Sequence, residues 1–330
     1  MITACGTVGS PAAEAWLGVN MHLSYACPLW LTTDMTPEFA PPDTVQAAGL
    51  RWRVQRVGSP VTHPAPAPVL LLLHGTGSSL GSWRACVERL APHFRLVVPD
   101  LPGHGGTSAF ADRCASLPRM AQAIATLLRT LEEAPALVAG HSAGAAVAVQ
   151  LALDGQVPSL RGVLAVNGAL EPLPGLMGLV APTAARLASR SSLLPDWVTR
   201  HASQPRALRN LIHSTGSRLD ASGVAHYRDL LSQPDHVRGV LDMLANWRLE
   251  SLRARLPSLQ LPLWLAAGLC DRTTAPVRSL ELARWMKRAR FIPMSGLGHL
   301  AHEEAPEQIA ALLLEMRDQL LGDTAADTAA

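Results

Sequence analysis

The feature that most limits how this chain can fold is the recurrence of short, wholly apolar runs separated by helical text. Val69–Leu73 reads VLLLL, so a strand made from it has no face to give to water. Such a strand belongs inside a parallel sheet covered on both sides; strands with one wet face alternate apolar and polar residues. Arg95–Val98, Ala136–Ala139, Gly162–Val166, Pro262–Ala267 and Ala289–Pro293 read as further strands. Between them Gly81–Leu90, Pro118–Leu131, Ala143–Leu153, Ala275–Arg288 and Pro306–Leu321 read as helices. Strands that alternate with helices predict an α/β fold with a mostly parallel central sheet and helices on both faces. Leu50–Val57 does alternate, and is expected as a half-exposed antiparallel strand.

One gap breaks this rhythm. Roughly ninety residues without strand text separate Val166 from Pro262, far more than a crossover needs. The stretch is punctuated by prolines, and we read 171–258 as an inserted helical lid that splits a core of 45–170 and 259–322. Residues 1–44 read as an extension, either weakly ordered or preceding a true start at Met35, and 323–330 as a tail. The lid carries 11 arginines against 7 acidic residues, hence +4; the other 17 basic and 19 acidic residues give −2. Arginines on solvated helix faces explain this most simply; attraction of an anionic substrate is the sharper alternative.

Composition removes several function classes. With 48% hydrophobic and 16% charged residues in 330, the chain can bury a large core and is not a disordered protein. A net charge of +2 gives no field for coating nucleic acid. The five cysteines, Cys5, Cys27, Cys86, Cys114 and Cys270, show no metal-ligand spacing, so neither a metal site nor a cofactor is expected. The N-terminus lacks the basic start of a signal peptide, and the mild apolar run 134–153 is broken by His141, Ser142 and glycines. The expected location is the cytoplasm, with no transmembrane segment.

The chemistry concentrates where apolar runs end. Gly140-His141-Ser142-Ala143-Gly144 stands between a strand and an Ala-rich helix, where a sharp turn forces a serine out above the sheet. Small neighbours give the backbone clearance, and the helix start offers free N–H groups to a developing negative charge. His74-Gly75-Thr76-Gly77 follows another strand. The N–H groups of Thr76 and Ala143 are the candidate oxyanion donors. A serine nucleophile needs a base, and the base an orienting carboxylate. His299, in the glycine loop after the last strand, is the favoured base, with His302 its rival. Asp271, after the strand Pro262–Ala267, is the favoured acid, with Glu171 a weaker alternative. Asp100 and His104, in PDLPGHG, read as structural hydrogen-bonders.

In this order, Ser142, Asp271 and His299 fit an α/β-hydrolase. Over residues 45–322 the chain resembles that superfamily through its HGTG, PDLPGHG, GHSAG, GLCDRTTAP and GLGHLAHEEAPE segments. The runs LLLLHGTG, GHSAGAAVA, NGAL, TGSRLD and MLANW are similar, more narrowly, to the magnesium-chelatase accessory proteins of bacteriochlorophyll biosynthesis. The resemblance implies the triad Ser142, Asp271 and His299, with Thr76 and Ala143 at the oxyanion hole. It implies a role near Mg²⁺ insertion into protoporphyrin IX, with magnesium-chelatase subunits and a porphyrin as candidate partners. A looser expectation is peripheral attachment to the photosynthetic membrane. Two functions follow: a serine hydrolase on an ester-like or tetrapyrrole-related substrate, or a non-catalytic porphyrin- or chelatase-binding accessory that retains the triad. Trp197, Tyr227 and Trp247 are candidate pocket residues, and His201, His213, His226 and His236 candidate axial ligands for the second function.

Overall fold

The computed structural model describes residues 41–58, 67–172, 197, 199–201 and 204–322. All belong to the unit Phe39–Ala330. Most of the expected extension 1–44, part of the segment 171–258 and the tail 323–330 lie outside the described residues.

The eight strands are β1 (Asp43–Ala47), β2 (Leu50–Val57), β3 (Val69–Leu73), β4 (Arg95–Pro99), β5 (Leu137–His141), β6 (Gly162–Val166), β7 (Leu263–Gly268) and β8 (Ala289–Met294). They form one sheet in the order β1-β2-β4-β3-β5-β6-β7-β8. The β1/β2 and β2/β4 pairs are antiparallel and every other pair is parallel. This is the mostly parallel architecture that the apolar runs require. The alternation of side chains along a strand divides β3 between two cores. Leu71 and Leu73 join the core under helices α2 (Leu117–Thr130) and α3 (Ala143–Leu153). Leu70 and Leu72 join the opposite core, under α1 (Arg84–Leu90) and the C-terminal helix.

The structure departs from the sequence reading at four places. Strand β1 was not anticipated; it is short, and Ala48 and Gly49 turn it back onto β2 with positive φ of 54° and 72°. The expected helix Gly81–Leu90 starts as a 3-10 turn, Leu80–Trp83, capped by the Ser79 hydroxyl accepting from Gly81 N–H at 3.2 Å, before α1 continues it. The expected helix Ala275–Arg288 stops at Trp285, because the Arg288 carbonyl must already accept from Leu263 N–H as β8 joins β7. Trp197 is 57% exposed and stacks on His201 at 4.4 Å, so it is not a pocket residue.

Between β6 and β7 the described residues include the helices α4 (Pro205–Ser214), α5 (Ala221–Leu231), α6 (Pro234–Asn246) and α7 (Glu250–Arg255), the last followed by a 3-10 turn, Leu256–Ser258. Helix α6 is held down by polar as well as apolar contacts. Arg113 Nε and Nη2 donate to the two oxygens of the buried Asp242, each at 2.9 Å, a forked pair that fixes orientation. Gly239 lies against the backbone of Gly103, where a Cβ would collide with the Gly103 carbonyl oxygen. The chain closes with α8 (Pro276–Trp285), the single turn α9 (Ala301–Glu304) and α10 (Pro306–Leu321). Among the described residues no helix is long and apolar enough to cross a membrane.

Candidate active site

The C-terminal ends of the parallel strands gather the loops that the sequence singled out, as the crossover geometry of such sheets dictates. Ser142 sits between β5 and α3 with φ 51° and ψ −115°, a conformation that non-glycine residues rarely adopt. What enforces it is space. A Cβ on Gly140 would meet the Gly144 backbone, and one on Gly144 would meet the carbonyl oxygen of Leu73. Only glycines allow β5, the serine turn and β3 to approach this closely. The Ser142 N–H donates back to Val166 O at 3.0 Å, pinning the turn to β6.

Asp271 and His299 meet across the next two strand ends. The Asp271 Oδ2 atom accepts from His299 Nδ1 at 2.8 Å, from Asn167 Nδ2 at 2.7 Å and from the Thr274 hydroxyl at 2.6 Å. Its Oδ1 accepts from the backbone N–H groups of Thr273 and Thr274 at 2.7 and 3.0 Å. Burial pushes the Asp271 carboxyl up, but these bonds, led by that from His299, outweigh it and hold the group below the ordinary range. Asp271 therefore stays ionised and keeps Nδ1 of His299 protonated, leaving Nε2 free to act as a base. Neither His302 nor Glu171 takes part in this pair, although Glu171 lines the same cavity. His302 is fully buried between the rings of Trp83 and His141, at centroid distances of 4.6 and 4.3 Å. Glu171 accepts from Arg253 Nε at 2.8 Å.

Thr76 and Ala143 flank Ser142, and among the described residues neither backbone N–H donates to another protein group. Asp100 and His104 are buried under the same loops. Asp100 accepts from the backbone N–H groups of Leu80 at 2.7 Å and Gly106 at 2.8 Å.

A cavity of about 600 Å³ opens onto Thr76, Ser142, Ala143 and His299. Its far wall is aliphatic and comes from the inserted helices, with Leu208, Ile212, Val240 and Leu241 among its residues. Tyr227 and Trp247 line it as expected from sequence. Among the described residues the arginine on its wall is Arg278 of α8, not one of the inserted segment's arginines, and Arg278 is flanked by Glu171 at 3.9 Å and Glu281 at 3.5 Å. His201, His213, His226 and His236 do not line the cavity among the described residues; its histidines are His141 and His299. Among those residues no three His, Cys, Asp or Glu side chains converge as a metal site.

Sequence reasoning missed the supporting cast. Asn167 and Thr274 hold Asp271, and the His141 ring donates from Nε2 to the His299 carbonyl at 2.8 Å. Asn167 had one legible signal: a polar residue directly after β6, at the sheet end where sites form.

A half-buried serine in a strained strand-to-helix turn, a histidine paired with a carboxylate across the adjacent ends of β7 and β8, and a helical insertion between β6 and β7 together define a class. The chain belongs to the alpha/beta hydrolase family, whose model matches residues 70–312. It is 40% identical over 254 residues to the magnesium-chelatase 30 kDa subunit of Rhodobacter capsulatus, covering 77% of this chain and 88% of that protein. It is 32% identical over 258 residues to a pimeloyl-[acyl-carrier protein] methyl ester esterase of Yersinia pseudotuberculosis, covering 76% and 93%. Among solved structures, an alpha/beta hydrolase fold protein from Burkholderia ambifaria superposes with a TM-score of 0.68 at 21% identity, covering 84% and 99%.

Proposed function

We propose that this chain is a serine hydrolase of neutral, largely apolar esters. Ser142 Oγ attacks the ester carbonyl while His299 Nε2 takes its proton. The carbonyl oxygen becomes an oxyanion held by the N–H groups of Thr76 and Ala143. Collapse expels the alcohol, which leaves with the proton from His299. Water then repeats the sequence on the acyl-serine, releasing the acid and restoring Ser142. Asp271 holds the imidazole throughout. In this reading 171–258 is the lid, and its aliphatic wall receives the apolar part of the substrate.

The observation that carries the reading is the His299–Asp271 pair at 2.8 Å, opening onto the cavity that also holds Ser142. The substrate class follows from that cavity's chemistry. Its aliphatic wall suits hydrocarbon, and Arg278 already has two carboxylate neighbours, which favours a neutral ester over a free acid. Similarity to the Rhodobacter magnesium-chelatase 30 kDa subunit supports a role beside magnesium chelatase; the resemblance of the sequence motifs implies that this role is in bacteriochlorophyll biosynthesis, with an esterified tetrapyrrole as one ligand of suitable chemistry. Binding without chemistry gains no support from an axial histidine, since none of the four candidates reaches the cavity.

The test is labelling by a fluorophosphonate probe. The wild type should react and Ser142→Ala should not; a folded wild type that stays unlabelled defeats the hydrolase reading. Complementation of a deletion strain by Ser142→Ala then asks whether hydrolysis is the biological role. Restored pigment synthesis would leave only the accessory role standing.

A further inference from the structure

The loop carrying Thr76 is held from above. Gly75 to Ser78 form a turn closed by Ser78 N–H donating to Gly75 O at 3.2 Å, with Gly77 at positive φ of 77°. Nothing lies within 4 Å of the Cβ position of Gly77, so local packing does not hold the turn there. Two residues of α6 do. The Thr76 hydroxyl donates to Met243 Sδ at 3.4 Å, and the Gly77 carbonyl accepts from His236 Nε2 at 3.3 Å.

His236 is buried in the first turn of α6, and its other nitrogen is also engaged: Nδ1 accepts from the Gly105 N–H at 3.0 Å. Only the neutral ring protonated on Nε2 satisfies both bonds, because an imidazolium has no lone pair for Gly105. The ring meets the edge of His104 at 5.4 Å, and His104 in turn faces His74 at 5.4 Å. Burial, with repulsion from His104, pulls His236 down to about 3, so the neutral form persists throughout the working range. The imidazole thus ties the turn at Thr76 to the turn at Gly105 through a residue that belongs to neither. This tie exists only while α6 is seated on the core.

We propose that His236 is a positioning residue of the inserted helices, which aims the Thr76 N–H at the oxyanion by holding the Gly77 carbonyl, so that seating α6 completes the oxyanion hole. The inference rests on the hydrolase reading above and adds regulation to it. Lifting α6 opens the cavity and, in the same movement, removes both of its holds on the turn that carries one oxyanion donor, leaving the Tyr227 hydroxyl on Ser78 Oγ at 3.3 Å.

Three variants of the full chain test it, with p-nitrophenyl octanoate and the fluorophosphonate as probes. His236→Leu removes both bonds. His236→Asn keeps an acceptor where Nδ1 meets Gly105 but falls short of Gly77, which separates the tie from the anchorage of α6. His236→Gln spaces a carbonyl and an amide much as the two ring nitrogens are spaced. The expected result is a kcat lower by about tenfold to a hundredfold in the Leu and Asn variants, with KM within about twofold and recovery in Gln, since small misplacements of a catalytic donor are costly. A merely structural histidine would instead lower Tm and raise KM, leaving kcat near wild type. If His236→Leu does not fold, the Asn variant decides alone. A wild type that hydrolyses the ester while His236→Asn keeps full kcat overturns this inference only; a wild type inert to both probes overturns it together with the hydrolase reading.

Discussion

Tyr227 of the inserted helix α5 donates its hydroxyl hydrogen to Glu303 of the core at 2.6 Å, and no cation neutralises that carboxylate among the described residues. The nearest basic group is His302 at 3.9 Å, itself kept neutral by burial. Burial pushes the Glu303 carboxyl up to about 8, with the Tyr227 bond only partly opposing it. The native state therefore holds a proton that the unfolded chain has released above about 4.5. Stability from this site is full below 4.5 and is lost as pH rises towards 8. Glu303→Gln keeps an acceptor for Tyr227 and cannot ionise. Its advantage over wild type in urea unfolding should grow between pH 5 and 8, by on the order of a few kcal/mol. A difference independent of pH would rule out Glu303 as the titrating group.

Acid should act on a different set. Burial pulls His74, His104, His236 and His302 down to about 3, and lowers His141 and His226 as well. Unfolded histidines take up protons near 6.5, so the stability these rings contribute is full above 6.5 and is lost as pH falls towards 3. Each contributes a slope of up to about 1.4 kcal/mol per pH unit. His302 is the clearest case, since neither ring nitrogen has a hydrogen-bond partner among the described residues. His302→Phe preserves an aromatic ring against Trp83 and His141 and removes one proton from the balance. Thermal melts between pH 4 and 6 should show a shallower acid slope for this variant, and an unchanged slope would refute the assignment.

How far the sequence reached depends on how local each cause is. Val69–Leu73 declares a buried strand because every residue in it is apolar, whatever it packs against. Ser142 is legible because Gly140 and Gly144 sit two residues away on either side, so the clearance requirement is written into one pentapeptide. His299 and Asp271 needed only their places after β8 and β7. Contacts between distant elements leave no such local mark. His236 lies 131 positions from Gly105, and Tyr227 lies 76 from Glu303. Neither pairing has a spacing, a periodicity or a turn chemistry to betray it. The position of the inserted helices over the site was therefore expected, while the means by which they are fastened was not.

The glycines of the serine turn give a prediction about folding. Gly144→Ala adds one methyl against the Leu73 and His74 carbonyls, which belong to a central strand end and cannot give way cheaply. The loss should reach about 3 kcal/mol or more in denaturant unfolding, although alanine is the better helix former at a helix N-terminus. Gly155→Ala is the comparison: its Cβ would meet nothing within 4 Å, so only its positive φ of 62° opposes the change. Gly144 is helical and has no positive φ, so a loss there no larger than the conformational cost at Gly155 would show that the β3 strand end yields to the added methyl and that close approach does not require the glycine.

The last prediction concerns the group that orients the base. Asn167 Nδ2 donates to the same Asp271 oxygen as His299, at 2.7 Å, and Asn167 itself has a positive φ of 48°. Replacement by alanine would confound loss of the amide with backbone strain, whereas Asn167→Gly accepts that φ freely. Asp271 would keep the bonds from Thr274 and Thr273, so it should remain ionised and lose only part of its fixed direction. Fluorophosphonate labelling of Asn167→Gly should slow by about tenfold, the cost of one hydrogen bond to a charged group. Asp271→Asn removes the charge and favours the wrong imidazole tautomer, so it should slow labelling by about a thousandfold or more. The ranking matters more than either value. An Asn167→Gly variant that reacts at wild-type speed would show that Thr274 and the backbone suffice to aim Asp271, and that Asn167 is held at the end of β6 for the turn it makes there.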